Sequence, residues 1–248
     1  MSSCDSSSSS PGILWEGSPV QGRFERRLNR FVAEVSLGSR TLRVHVPNSG
    51  RLTELLKPGN EVYLLTREPR GRKTSHDLIL ARAGDTLVSV DARIPKTLVE
   101  RAVVAEWLPE LAGWSVAGLE PRVGEGRLDL RLSPPDPGGP DALVETKSVT
   151  LVEGNRARFP DAPTARGARH LRELIVLRES GQRAAVVFVV QRDDADSFGP
   201  NWATDPEFGE VLGEACQRGV EVYAYSCRVC LRGIWMDRSL PLVLEKGV

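Results

Sequence analysis

Cysteines are few in this chain, aromatic residues are sparse, long apolar runs are absent, and neither sign of charge is in excess. The four cysteines, Cys4, Cys216, Cys227 and Cys230, are spread through 248 residues. That excludes a disulfide framework of the kind that holds small secreted domains together. Cys227 and Cys230 have the spacing of a zinc half-site or a redox pair, but no second Cys/His pair stands nearby. An ordinary pair of partly buried thiols is expected. No run approaches the ~20 apolar residues that a membrane-spanning helix needs, so no membrane partner is expected. The opening MSSCDSSSSSPG has neither a basic segment nor an apolar core and does not read as a secretory signal. The expectation is a cytoplasmic protein with a disordered Ser-rich tail over residues 1–18.

A net charge of +0 argues at first against a polyanionic partner. The two parts of the chain differ, however. Residues 1–94 hold 14 Lys+Arg against 10 Asp+Glu, and the remainder hold 19 against 23. A basic front suits a polyanion and an acidic back suits cations such as metal ions. An asymmetry this small also arises by chance.

Short alternating segments fill the front: RFVAEVSL, TLRVHVPN, EVYLLTR, HDLILARAG and TLVSVDAR, separated by turns that carry Gly or Pro. They predict a small barrel or sandwich over residues 19–94. SGRLTELLKPG reads as a short helix capped by Ser49. From residue 95 to 248 helices alternate with strands, which predicts an α/β sheet. PKTLVERAVVAEWLPELAG reads as a helix broken at Pro109, and TARGARHLRELIVLRESG and DPEFGEVLGEACQRG as two more. SVAGLEPR, RLDLRLS, ALVETKSVT, AAVVFVVQR and VEVYAYSCRVC read as strands. AAVVFVV is apolar throughout, as in a strand covered on both faces.

The chemistry concentrates in that second part. Glu145 and Lys147 lie two apart in an otherwise apolar strand, so they share a face. Asp129 sits between leucines in the preceding strand, and the two strands are joined by a Pro/Gly loop. Two carboxylates brought together repel, and one should protonate unless a cation intervenes. Mg²⁺ accepts one or two carboxylates and keeps several waters. Lys147 beside such an ion could stabilise charge on a phosphate. The plain alternative is a Glu–Lys pair on a solvated strand. Arg166, His170 and Glu173, spaced i, i+4, i+7, share one face of the following helix and suit a phosphate ligand or a solvated surface. Asp161, between two prolines, reads as an outer ligand or a turn residue. In the front part Arg51 and the REPRGRKT loop, with Arg67, Arg70, Arg72 and Lys73, offer phosphate contacts. Only Trp15, Phe24, Phe31 and Tyr63 are available for base stacking, so backbone binding with weak sequence preference is expected. No chemistry attaches to His45 or Asn48 from sequence.

The strings NRF, VHVPNSGRLTELLKPG, GRKT, RLDL, VETKSVTLVE, FPDAPTARGARHLREL, VVFVVQR and GVEVYAY resemble the sugar fermentation stimulation protein A family. The resemblance runs from about Phe24 to the last strands. It implies an N-terminal OB-like β-barrel, a DNA-binding function, and an α/β nuclease-like domain of the PD-(D/E)XK class. By that resemblance Asp129 and Glu145 become ligands of Mg²⁺ or Mn²⁺, Lys147 the catalytic lysine, and Glu120 a supporting residue. Gly126-Arg127 stands where the family commonly has Ser-Arg, Ser49 replaces a Thr, and Lys96 replaces an Asn; none of these removes a proposed ligand. A metal-dependent phosphodiesterase acting on DNA or RNA leads. A non-catalytic DNA-binding regulator competes with it, and a sugar-metabolism enzyme leaves Lys147 without a role.

Overall fold

The computed structural model describes residues 10–68, 71, 73–124 and 126–246. After the short β1 (Gly12–Leu14) come β2 (Val20–Asn29), β3 (Val32–Leu37), β4 (Arg40–His45), β5 (Glu61–Thr66) and β6 (His76–Ala83). These five pair in the order β4-β3-β2-β5-β6, and a parallel bridge from His45 to Asp77 closes the ring. The alternation that predicts strands puts Phe24, Ala33, Val35, Val44, Leu64 and Leu78 inside it. The result is an N-terminal OB-type β-barrel. β7 (Thr86–Ser89) pairs with β6 and leads out of it.

α1 (Ile94–Val104) follows, with Pro95 in its first turn, where the missing N–H costs nothing. The expected break at Pro109 is a separate 3-10 turn, Pro109–Leu111. Next come β8 (Ser115–Leu119), β9 (Arg122–Val123), β10 (Gly126–Arg127), β11 (Leu130–Ser133), β12 (Ala142–Val149), β13 (Leu151–Glu153) and β14 (Arg156–Phe159). α2 (Ala165–Glu179), β15 (Arg183–Val190), β16 (Ser197–Pro200), α3 (Pro206–Gln217), β17 (Glu221–Cys230) and β18 (Gly233–Ser239) complete the fold. Thr164 and Asp205 cap the two helices by accepting from the backbone N–H groups of Gly167 and Phe208.

One seven-stranded sheet runs β1-β18-β17-β15-β12-β11-β8, with β12, β15 and β17 parallel at its centre. Its two faces explain the unbroken apolar run of β15. Val187 and Val189 pack with α1 and with Tyr63, Leu65 and Ile79 of the barrel. Val186, Phe188 and Val190 pack under α2 and α3. The barrel and the α/β domain therefore share one core.

Four expectations change, and one strand appears that the sequence pattern did not mark. The tail ends earlier than residue 18: β1 adds to the sheet edge beside β18, and Trp15 is buried with its Nε1–H donating to the Cys230 carbonyl at 2.9 Å. SGRLTELLKPG is a series of turns, because Leu52 takes a positive φ of 52° and its N–H is bound from outside the segment. RLDLRLS is interrupted at Asp129, between β10 and β11. The polar-looking Val20–Asn29 is a ten-residue strand. Cys227 is a buried free thiol, whereas Cys230 is disulfide-bonded, so the two are not an ordinary thiol pair.

Candidate active site

The two-residue period of β12 divides its side chains between the sheet's faces. Val144 turns toward α1, while Leu143, Glu145, Lys147 and Val149 turn toward α2. Glu145 and Lys147 are only 4% and 9% exposed, so they are not a solvated surface pair. The Lys147 Nζ donates to Glu145 Oε1 at 2.6 Å. α2 lowers His170 onto the same oxygen, to which its Nδ1–H donates, and the two donors stand 3.3 Å apart. Glu145 Oε2 and His170 Nε2 are buried with no hydrogen-bond partner among the described residues. Burial pushes the Glu145 carboxyl up, but Lys147 and His170 together outweigh it, and the group titrates below its ordinary range.

Asp129 reaches the site by another route. Pairing of β11 with β12 begins at Leu130 opposite Val144. Beyond that point the ladder stops, and the Asp129 carboxylate takes the place of a strand partner. Its Oδ2 accepts from the Thr146 backbone N–H at 2.8 Å and from the Thr146 hydroxyl at 2.5 Å. Asp129 thus approaches from the edge of β12, and Glu145 from its face. Burial and then the Glu145 charge push the Asp129 carboxyl up, more than the Thr146 donors and Lys147 pull it down. Two acids within each other's field, one with a buried unpartnered oxygen, fit a hard cation held by few protein oxygens. Among the described residues no three His, Cys, Asp or Glu side chains converge to hold a metal by themselves.

The remaining sequence candidates separate. Glu120 is half exposed and pairs with Lys96 at 2.6 Å and Arg127 at 3.6 Å, which hold its carboxyl low. Its backbone N–H donates to the Asp129 carbonyl at 2.9 Å, so its support is to the main chain of the Asp129 segment. Asp161 is neither a free turn residue nor turned only to the acids: its Oδ2 accepts the Leu52 N–H at 2.9 Å and ties the two domains together. The shared helix face splits three ways. Arg166 is exposed, His170 enters the site, and Glu173 lies against the β9–β10 hairpin beside Gly126 and pairs with Arg169. In the expected phosphate-binding loop, Arg67 is committed to Asp77 and Glu16 at 3.1 and 2.8 Å. Lys73 is exposed, and Arg70 and Arg72 lie outside the described residues.

Sequence reasoning missed Arg27, Arg30 and the use of Asn48. A cleft of about 890 Å³ opens between barrel and sheet, with Lys147 at its floor and Arg30, Arg51, Asp161 and Arg166 among its walls. Arg27 also reaches it, but its guanidinium is spent on backbone carbonyls, at 2.7 Å from Asn48, 2.6 Å from Gly50 and 2.9 Å from Arg51. Asn48 accepts the Gly50 N–H and donates to the Val90 carbonyl. Apart from the Asn48–Gly50 turn, nothing local in the sequence marks these contacts, since the partners lie more than twenty residues apart.

Comparison with known proteins agrees with this architecture. The model for the SfsA N-terminal OB domain matches residues 26–90, and that for the sugar fermentation stimulation protein RE domain matches residues 93–233. The chain belongs to the sugar fermentation stimulation protein family. A sugar fermentation stimulation protein homolog from Moorella thermoacetica is 46% identical over 211 residues, 85% of this chain and 90% of that protein. One from Thermoanaerobacter sp. (strain X514) is 42% identical over 227 residues, covering 91% and 97%. The structure of Pyrococcus furiosus SfsA in complex with Ca²⁺ superposes with a TM-score of 0.86 at 34% identity, covering 93% of this chain and 98% of that one.

Proposed function

We propose that this family member binds nucleic acid, DNA in the first instance, and hydrolyses its phosphodiester bonds with Mg²⁺ or Mn²⁺ at Asp129, Glu145 and Lys147. The observation that carries this reading is the buried Glu145–Lys147 pair with one carboxylate oxygen unpartnered and Asp129 beside it. A buried ion pair is poor value as a stability device, and a perturbed carboxylate pair beside a cleft is typical of a functional site. The Ca²⁺ in the Pyrococcus furiosus relative supports a divalent ion here.

When bound, the divalent cation supplies Lewis-acid stabilisation of the negative charge on a phosphate under attack. Asp129 and Glu145 would hold it. His170 keeps Glu145 turned so that Oε2 stays available. Lys147, already at the cleft floor, offers its ammonium to a phosphate oxygen as negative charge grows there. Thr146 fixes the Asp129 carboxylate with two donors, which limits reorganisation when substrate arrives.

The test is incubation of plasmid and oligonucleotide substrates with and without Mg²⁺ or Mn²⁺. Cleavage that requires metal, and that is lost in Lys147→Ala and Asp129→Ala while nucleic-acid binding persists, is the expected result. Wild-type cleavage in either variant would refute the assignment. A second reading rests on the contacts by which Lys147 and His170 already hold Glu145 without a metal. On that reading the domain is a scaffold for a DNA-binding regulator, and binding without nicking under every metal would favour it.

A further inference from the structure

Three arginines around the cleft lack partners. Arg30 and Arg51 on the barrel and Arg166 in the first turn of α2 are exposed, line the same cleft as Lys147, and make no side-chain hydrogen bond or ion pair among the described residues. The one carboxylate in that lining is Asp161, whose Oδ2 is occupied by the Leu52 N–H. Like charges gathered in one concavity raise the local potential, and an incoming anion relieves it. The N-terminus of the fifteen-residue α2 opens on the same space through Thr164, Ala165 and Arg166 and adds to that potential.

The walls are held at a fixed spacing. Arg27 clamps the carbonyls of Asn48, Gly50 and Arg51, Asp161 binds Leu52 from the opposite domain, and the barrel and sheet share one core. The cleft therefore cannot widen without breaking packed contacts. Its volume of about 890 Å³ lies within the ~300–1,000 Å³ typical of sites for small ligands, room for a few nucleotides of one strand. Phe159 is the one aromatic residue in the lining, so contacts to the sugar–phosphate backbone would dominate over base stacking.

We propose that this interdomain cleft is the binding site for a single nucleic-acid strand, its phosphates held by Arg30 and Arg51 from the barrel wall and Arg166 from the α2 wall. This rests on the reading above that the ligand is nucleic acid, and it moves the main phosphate contacts from the Arg67–Lys73 loop to the cleft. The strand would pass over Lys147, joining the barrel to the proposed hydrolytic site in one substrate path.

The test is fluorescence anisotropy of a labelled single-stranded oligonucleotide and of the equivalent duplex, in EDTA and in Ca²⁺, across a salt series. Each lost phosphate contact removes ~0.7 from the slope of log affinity against log salt for a single strand. The triple variant Arg30→Ala, Arg51→Ala, Arg166→Ala should then lose about 2 from that slope and bind at least tenfold more weakly. The corresponding triple Lys variant should keep the slope, and Arg40→Ala, outside the cleft, should bind as wild type. Affinity within twofold of wild type in the triple Ala variant would overturn the proposal, as would tighter binding of duplex than of single strand. Cleavage separates this from the hydrolase reading. Strand binding that depends on the three arginines in a protein inert with every metal leaves the cleft standing and sinks the hydrolase. Metal-dependent cleavage that the triple Ala variant performs with unchanged KM does the reverse.

Discussion

Replacing Arg27 with alanine removes the clamp that shapes the barrel wall of the cleft. Its guanidinium donates to the carbonyls of Asn48, Gly50 and Arg51 at 2.7, 2.6 and 2.9 Å, and to that of Arg30 as well. A hydrogen bond to a charged group contributes ~1.5–3 kcal/mol net when well buried. Arg27 is half-buried, and burial pushes its guanidinium pKa down, so water replaces part of what is lost. For the three loop carbonyls together, a loss of about 3 kcal/mol in local stability is reasonable on that scale. At ~1.4 kcal/mol per factor of ten, this is on the order of a hundredfold in the population of the open loop.

Trypsin reads that population, because Arg51 lies on the loop and cleavage after it requires local opening. Cleavage at Arg51 should accelerate on the order of a hundredfold in Arg27→Ala, and by less in Arg27→Lys. The lysine carries charge but has no planar fork to span several carbonyls. Arg23→Ala is the control, since Arg23 donates one exposed bond, to the Gly59 carbonyl. A cleavage rate at Arg51 unchanged in Arg27→Ala would refute the clamp.

Other outcomes follow from the acids. His170→Gln should raise the divalent-ion concentration needed for half-maximal cleavage ~10–100-fold, as loss of a residue orienting a ligand does; Ca²⁺ titration calorimetry checks this without turnover. Glu145 and Asp129 should respond with opposite signs. The folded Glu145 carboxyl lies below its ordinary 4.5, so its contribution is present above that pH and is lost as pH falls through the lower folded value. Glu145→Gln leaves Lys147 buried without its counter-charge and should cost ~3–5 kcal/mol at neutral pH, measured by chemical denaturation. The folded Asp129 carboxyl lies above its ordinary 3.8, so its contribution is present at low pH and is lost as pH rises through the folded value. Asp129→Asn should therefore raise the melting temperature of the metal-free protein at neutral pH, and divalent ions should then add less than they add to wild type.

The pattern of the chain carried the barrel, the α/β sheet and the Glu145–Lys147 pair because each is written in a short-range period. Two positions on a strand share a face wherever the strand lies, so that pair could be read without a structure. The approach of Asp129 could not, because it depends on where β11 stops pairing with β12. SGRLTELLKPG looked helical because its leucines are spaced as on a helix. Its backbone is fixed instead by Arg27 and Asp161, one on each side of the cleft and far away in sequence. Arg67 looked like a phosphate ligand because loops rich in arginine usually face solvent. Asp77, fully buried beneath it, claims that charge for the barrel's interior. β1 was hidden by the serine run before it, since three residues carry no period and only the open edge of β18 makes them a strand.

On the proposed function the two acids would solve different problems, and a metal site would need both. Glu145 is compensated inside the protein by Lys147 and His170, so the folded state tolerates its burial without a metal. Asp129 is compensated by the two donors of Thr146 and, less, by the charge of Lys147, which is already bound to Glu145, and its carboxyl stays raised. Had both acids carried an internal cation, nothing would remain to attract one from solvent. Had neither, the metal-free fold would bear two uncompensated charges in its core. On the proposed function the residual repulsion at Asp129 is what a divalent ion would relieve, and the preset pair at Glu145 would give that ion a fixed place.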